Sequence, residues 1–402
     1  MKYLIILGDG MADEPITALG DQTPLQAASK PTIDRMALQG ACGRFVSVPL
    51  GYPPGSEIAN LGVLGYDVRK VYEGRGSLEA ASMGIALEPG ELAMRCNLIS
   101  VEAGLIRNHS AGHISTEEAA ELIHFLQERL GNKYLNFYPG VSYRHLLTVK
   151  GGDKRLTCTP PHDVPGIPFA SVLPKADVVE AAETAALLMQ LILDSQELLG
   201  THPVNLKRVA EGKAPANSIW PWSPGYRPTM LKMQETYGIR SGAVISAVDL
   251  IHGIGIYAGL DKVVVPGATG LYTTNYEGKV QATLEALKEK DFVFLHIEAS
   301  DEAGHEGDVE LKVSTIESLD RRVVKPLMEA FAAWDEPVTV LLLPDHPTPC
   351  RLRTHTAEPV PFVLWGPTVL SDAVNKYDEF SVSEGAYGLL RGDELIRLLL
   401  GT

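Results

Sequence analysis

The chain has 402 residues, with 50 acidic against 35 basic side chains and a formal net charge of −15. That length can bury roughly three-quarters of the unfolded surface and suggests about two or three domains. The acidic balance, with no basic tract, argues against nucleic acid as a partner. Four cysteines, Cys42, Cys96, Cys158 and Cys350, lack C-x-x-C spacing, so neither a zinc ribbon nor a disulfide framework is expected. The apolar start at 3–7 is too short for a signal peptide, and the apolar run 185–193 is broken by Gln190. No membrane span is expected, and the cytoplasm is the expected compartment. An acidic enzyme acting on an anion must supply local positive charge, from metal ions or a few placed arginines.

Residues 3–7 predict a first strand, and Gly8-Asp9-Gly10 follows at its end. The glycines permit a tight turn and close backbone approach, leaving Asp9 to project where a strand-end ligand would be needed. A helix is expected over 31–38, with Pro31 at its first position and Gly40 as its stop. Farther on, Pro53, Pro54 and Gly55 forbid a helix before Ser56, and Ser56 with Glu57 reads as an N-cap and first-turn pair. Capping is one use of this serine. The other is chemical, because backbone N–H groups and a positive dipole end at a helix start can hold a phosphoryl group beside the hydroxyl.

From about 90 to 225 the character changes. A strand over 93–101 is followed by the capping box Ser115-Thr116-Glu117-Glu118, which opens a helix to Leu130. Residues 150–174 are loop-rich, 178–199 have helical periodicity, and the Pro/Trp-rich run 219–225 reads as a rigid connector. We read 90–225 as an inserted α+β domain that caps the substrate, and 1–89 with 226–402 as one discontinuous catalytic domain. Within the insert, Arg95, His109, His113 and Arg144 are candidates for the required positive charge.

Beyond residue 226 strand and helix patterns alternate, among them one helix from 309 to about 333, which predicts an α/β fold with a mostly parallel sheet and helices on both faces. The apolar run 292–297 delivers Asp301 and His305, four apart and therefore on one face of a helical turn. Alone, that spacing is weak. A second apolar run, 338–343, delivers Asp345 and His346, with His355 nine residues on. Two strand ends supplying Asp/His pairs make a metal centre the better reading, and mixed O/N donors suit Mn²⁺ or Zn²⁺. No Walker-type loop is present, and Pro266-Gly267-Ala268-Thr269-Gly270 lacks dinucleotide spacing and reads as a turn.

Six segments in one order carry a resemblance: Gly8-Asp9-Gly10, Pro54 through Asn60, Tyr72-Glu73-Gly74-Arg75-Gly76, His202-Pro203-Val204-Asn205, Asp301 through His305, and Asp345 through Cys350. In these the chain resembles the alkaline phosphatase superfamily, and within it the archaeal-type 2,3-bisphosphoglycerate-independent phosphoglycerate mutases. The resemblance implies Ser56 as the nucleophile that becomes phosphoserine, Asp9, Ser56, Asp345 and His346 at one metal, and Asp301, His305 and His355 at the other. It also implies two divalent ions (Mn²⁺, with Zn²⁺ or Mg²⁺ as alternatives), no bisphosphoglycerate cofactor, and a small phosphorylated metabolite as substrate, gripped by Arg75, Arg95, His109, His113 and Arg144. One departure stands out: Asn108-His109-Ser110-Ala111-Gly112-His113 occupies a position where archaeal mutases resemble Asp-Arg-Arg-Ala-Gly-Arg. Histidine binds anions more weakly than arginine at neutral pH. That change and the Trp-Pro-Trp run are similar to a bacterial branch proposed to act as homoserine kinase. A metal-dependent phosphatase and a non-catalytic metal-binding protein are the other readings of the same residues.

Overall fold

The computed structural model describes residues 1–402 and divides them into two compact units, Met1–Tyr72 with Thr229–Thr402, and Glu73–Pro228. The strands, in chain order, are β1 (Lys2–Gly8), β2 (Ala41–Val46), β3 (Glu91–Glu102), β4 (Leu105–Asn108), β5 (Leu135–Tyr138), β6 (Arg144–Lys150), β7 (Leu156–Thr157) and β8 (Lys175–Ala176). They continue with β9 (Ser218–Gly225), β10 (Gly242–Ile245), β11 (Asp261–Val263), β12 (Phe292–Ile297), β13 (Val338–Leu343), β14 (Val360–Trp365) and β15 (Leu389–Arg391). No helix is long and apolar enough to cross a membrane.

The first unit is built on an eight-stranded sheet in the order β11-β10-β12-β1-β13-β14-β2-β15. Every neighbouring pair is parallel except the two made by β14. β12 and β13 are buried along their whole length. Burial on both faces removes any need for polar alternation, which is why they read as unbroken apolar runs. Parallel register brings Gly8 opposite Ile297 and Leu7 opposite Leu343, so β1, β12 and β13 end at one level. Asp9, Asp301 and Asp345 all follow those ends.

Two local features differ from the sequence reading. The N-cap before the Ser56–Val63 helix is Gly55, in an extended conformation, and Ser56 is the first helical residue. Its hydroxyl is therefore not spent on capping. The helix expected from 309 to about 333 is interrupted: Val309–Leu319 and Lys325–Phe331 are α-helical, with a wide π turn over Asp320–Val324 between them. Pro326 cannot donate an i→i−4 bond, and the widened turn absorbs that loss.

The second unit has a five-stranded antiparallel sheet, β4-β3-β6-β5 with β9 on β3, and a separate β7–β8 pair. Helices Thr116–Leu130 and Ala182–Gly200 bury Leu122, Ile123, Leu126, Leu188 and Ile192 against it. The run 219–225, read as a connector, is instead β9. Its prolines are tolerated because it pairs on one side only, with β3, and the register shifts beside Ala93. This unit also begins earlier than residue 90. Helix Arg75–Ser82 lies so close to β3 and β9 that a Cβ on Gly76 would collide with Ala93 O and come within 2.8 Å of Ser223 O.

Candidate active site at the strand ends

Asp9 occupies the turn after β1, where Gly10 has φ +61° and no room for a side chain: a Cβ there would lie 2.6 Å from Asp301 Oδ1. Helix Ala299–Glu306 puts His305 Nε2 3.3 Å from Asp301 Oδ2, as the four-residue spacing requires. His355 Nε2 lies 3.3 Å from Asp301 Oδ1 and 2.9 Å from His305 Nε2. His346 Nε2 is 3.4 Å from Asp345 Oδ2 and 3.7 Å from Asp9 Oδ1. Donor atoms of Asp9, Asp345 and His346 lie within 4.8 Å of one another, and so do those of Asp301, His346 and His355. The resemblance assigned His346 to one cluster; geometrically it borders both, its ring stacked on His355 at 3.9 Å.

Hydrogen-bond partners assign the ring protons. His305 Nδ1 is 3.0 Å from Arg353 O and His355 Nδ1 is 2.8 Å from Pro54 O, so each Nδ1–H donates to a carbonyl. With Nδ1–H so engaged, a neutral ring turns its Nε2 lone pair towards Asp301, where a cation would take it, and a protonated ring donates Nε2–H to that carboxylate. Thr348 Oγ1 donates its hydrogen to Asp301 Oδ1 at 2.5 Å, leaving its oxygen to accept from His346 Nδ1 at 3.3 Å. His346 Nε2 then presents a lone pair to Ser56 Oγ, 3.2 Å away. Asp345 is fixed by Gly10 N and His346 N on Oδ1 and by Asn60 Nδ2 on Oδ2.

This donor set fits a divalent cation. Asp9 Oδ1 is buried with no hydrogen-bond partner. Burial, with the Asp345 and Asp301 carboxylates beside it, holds the Asp9 carboxyl well above its usual range. Burial would also raise Asp301, but hydrogen bonds from His305 and His355 hold it well below. The bond to Asp301 lifts His305 to about 9, whereas burial lowers His346. Clustered carboxylates and facing imidazole lone pairs repel one another unless positive charge lies among them.

In the second unit, the five candidates fall in one neighbourhood. Arg75 and Arg95 share Glu79 at 3.4 and 3.2 Å, and the Arg95 guanidinium stacks over Trp222 at 4.4 Å. Tyr143 is flanked by His109, His113 and Arg144, at 5.8, 6.4 and 6.0 Å. Burial pushes Arg95 down to about 10, and although Glu79 opposes this, Arg75 and Arg144 push the same way. Three guanidiniums, Arg75, Arg95 and Arg144, lie close together with Glu79 shared by two of them, a locally positive patch in a chain of net charge −15. The histidine loop is held in an unusual shape: Ala111, Gly112 and His113 all have positive φ, and Asn108 Oδ1 accepts from Ser110 N, Ser110 Oγ and Gly112 N. Arg208 pins the loop through Ala111 O at 2.7 Å. Such strain persists only where surroundings over-determine it, and it clusters at functional sites.

Sequence reasoning missed His296, Asn60, Thr348 and His162. His296 could have been noticed as the one polar residue in an otherwise apolar strand, and Asn60 lies one helical turn after Ser56. His162, 6.1 Å from His109 and 5.4 Å from Trp222, sits in a loop-rich stretch with no periodicity to mark it.

The family model for 2,3-bisphosphoglycerate-independent phosphoglycerate mutase matches residues 37–205. Proteins bearing that name from Methanosarcina acetivorans and Methanosarcina mazei are 51% and 50% identical over the full length of both chains. Among solved structures, a Pyrococcus horikoshii protein aligns with TM-score 0.83 at 30% identity, covering 100% of this chain and 97% of that one. A cofactor-independent phosphoglycerate mutase from Thermoplasma acidophilum aligns at 0.67 and 26%, covering 100% and 99%. The site and the sheet define a metal-site α/β protein with a serine set among metal-type ligands. The chain belongs to the 2,3-bisphosphoglycerate-independent phosphoglycerate mutase family.

Proposed function

We propose that this protein interconverts 3-phosphoglycerate and 2-phosphoglycerate by passing the phosphoryl group through Ser56, in the cytoplasm, without bisphosphoglycerate. The observation that carries the reading is the placement of Ser56: first in its helix, free of capping, with its hydroxyl 3.2 Å from His346 Nε2. The names of full-length relatives support mutase activity over a homoserine kinase.

In this reading Asp9, Ser56, Asp345 and His346 hold one divalent ion, and Asp301, His305 and His355 hold the other, with Mn²⁺ as the physiological metal. Such ions lower the pKa of a hydroxyl and neutralise charge on a transferring phosphoryl group. Ser56 Oγ bonds to phosphorus as the bond to the substrate oxygen breaks, and its proton passes to the departing glycerate oxygen. Glycerate stays bound, turns, and takes the phosphoryl group back on its other hydroxyl. Asn60, bonded to both Ser56 O and Asp345, keeps the nucleophile's helix aligned with that carboxylate. The Glu73–Pro228 unit acts as the substrate cap, with Arg75, Arg95, His109, His113 and Arg144 gripping carboxylate and phosphate. Water must stay out while phosphoserine exists, because hydrolysis would make the enzyme a phosphatase.

Phosphorus NMR of the Mn²⁺-loaded protein with 3-phosphoglycerate alone tests this. The 2-phosphoglycerate resonance should appear without nucleotide and vanish after chelation. Release of free phosphate alone would replace the mutase reading with a phosphatase.

A further inference from the structure

His296 lies inside β12, wholly buried, and both of its ring nitrogens are engaged. On one side, Ser246 Oγ lies 3.1 Å from His296 Nδ1 and accepts from Val248 N at 3.0 Å. The ring's other nitrogen, Nε2, faces the Asp9 carboxylate, which as an ionised ligand only accepts, so the hydroxyl hydrogen goes to Nδ1. Nδ1 is thus the acceptor, and the ring proton resides on Nε2. That nitrogen faces Asp9 Oδ2 at 2.9 Å. The other oxygen, Asp9 Oδ1, has no hydrogen-bond partner and is the one turned to His346.

Strand order explains the alignment. Ser246 follows β10, His296 belongs to β12 and Asp9 follows β1, three strands that are adjacent in the sheet. The parallel register sets Ile245 against Leu295 and Leu7 against His296. The three side chains therefore form a row across the strand ends.

We infer that Ser246 and His296 are positioning residues that hold Asp9 Oδ2 in a hydrogen bond, leaving Oδ1 as the single oxygen Asp9 offers to a cation. The inference rests on the reading of Asp9 as a ligand. A histidine that donates to a ligating carboxylate sets its orientation, and loss of such a partner typically weakens metal binding about 10–100-fold. In Ser246→Ala the ring loses the donor that selects its tautomer, so Nε2–H is no longer enforced and Asp9 is free to rotate.

The test uses the full chain labelled with ¹⁵N-histidine, loaded for NMR with diamagnetic Zn²⁺ so that Asp9 is an ionised ligand, and stripped of metal by chelator for the binding measurements. NMR should find His296 neutral and protonated on Nε2 between pH 6 and 8; a ring protonated on Nδ1 overturns the inference whatever the activity. Equilibrium dialysis with Mn²⁺, and the visible spectrum with Co²⁺, then read the sites separately from turnover. Ser246→Ala should weaken one of two ions about 10–100-fold and alter the Co²⁺ spectrum, with the second ion unaffected and unfolding still cooperative. Ser246→Thr, which keeps the hydroxyl, should restore both. Wild-type affinity for both ions in Ser246→Ala and in His296→Gln would overturn the inference. A wild-type chain that binds ions and shows the Nε2–H ring yet performs no isomer exchange would sink the mutase reading while leaving this one standing.

Discussion

Ser56 Oγ and His346 Nε2 stand 3.2 Å apart although 290 residues separate them in the chain. Neither atom is spent elsewhere: the serine caps nothing, and the imidazole's other nitrogen is tied to Thr348. With His346 read as a metal ligand, its Nε2 lone pair goes to the cation rather than to the serine proton, which places the burden of activation on the charges held there.

Ser56→Ala should therefore lower isomer exchange by about 10⁴-fold or more, because an essential nucleophile has no substitute. The Asp301, His305 and His355 donors remain, so at least one Mn²⁺ should still bind. Single-turnover assays and dialysis check both halves, and an active variant would end the phosphoserine mechanism.

His109→Arg with His113→Arg should raise kcat/KM for 3-phosphoglycerate about 10-fold at pH 8, since guanidinium stays charged where imidazole does not. Burial, and the neighbouring His113, hold His109 below its usual value, so the native ring is neutral there. The gain should shrink towards pH 5.5, where imidazoles charge. An unchanged pH–rate profile would put both rings outside the substrate's reach.

Lys312→Met should destabilise the protein by about 3–5 kcal/mol, the usual consequence of stranding one partner of a buried pair. Lys312 Nζ and Asp13 Oδ2 are 2.8 Å apart and both side chains are fully buried. The ammonium also bonds Ala12 O and Thr348 O, tying the loops that carry Asp9 and His346. Pairing it with Asp13→Asn should recover part of the loss in urea unfolding.

Glu379 should make stability fall as pH rises. Burial lifts its carboxyl from 4.5 to about 7, despite bonds from Thr23 Oγ1 and Asp13 N. The folded state then keeps a proton that the unfolded chain releases, so the contribution is full below about 4.5 and lost as pH climbs through about 7, a change of about 3 kcal/mol. Glu379→Gln should flatten that segment of the urea midpoint against pH and stabilise the protein at pH 8; parallel curves for both proteins would refute the assignment.

What could be read from the sequence was local. Asp301 and His305 needed only a helical turn, and Asp9 and Asp345 needed only to follow apolar runs that could not be anything but buried strands. The mostly parallel sheet followed from alternation. The prolines of 219–225 misled because proline forbids a central strand but not a one-sided one such as β9.

Tertiary structure decided the rest. Whether Ser56 caps its helix depends on the extended backbone of Gly55, which composition does not specify. That His346 borders both clusters, and that His162 joins Trp222 and His109, depends on which loops meet. The row from Ser246 through His296 to Asp9 exists only because β10, β12 and β1 are neighbours, an order not written in any one segment. Proton positions and free lone pairs are set by such long-range contacts. The sequence by itself thus pointed to most of the residues proposed to carry the chemistry, and packing decided which of their atoms remain available for it.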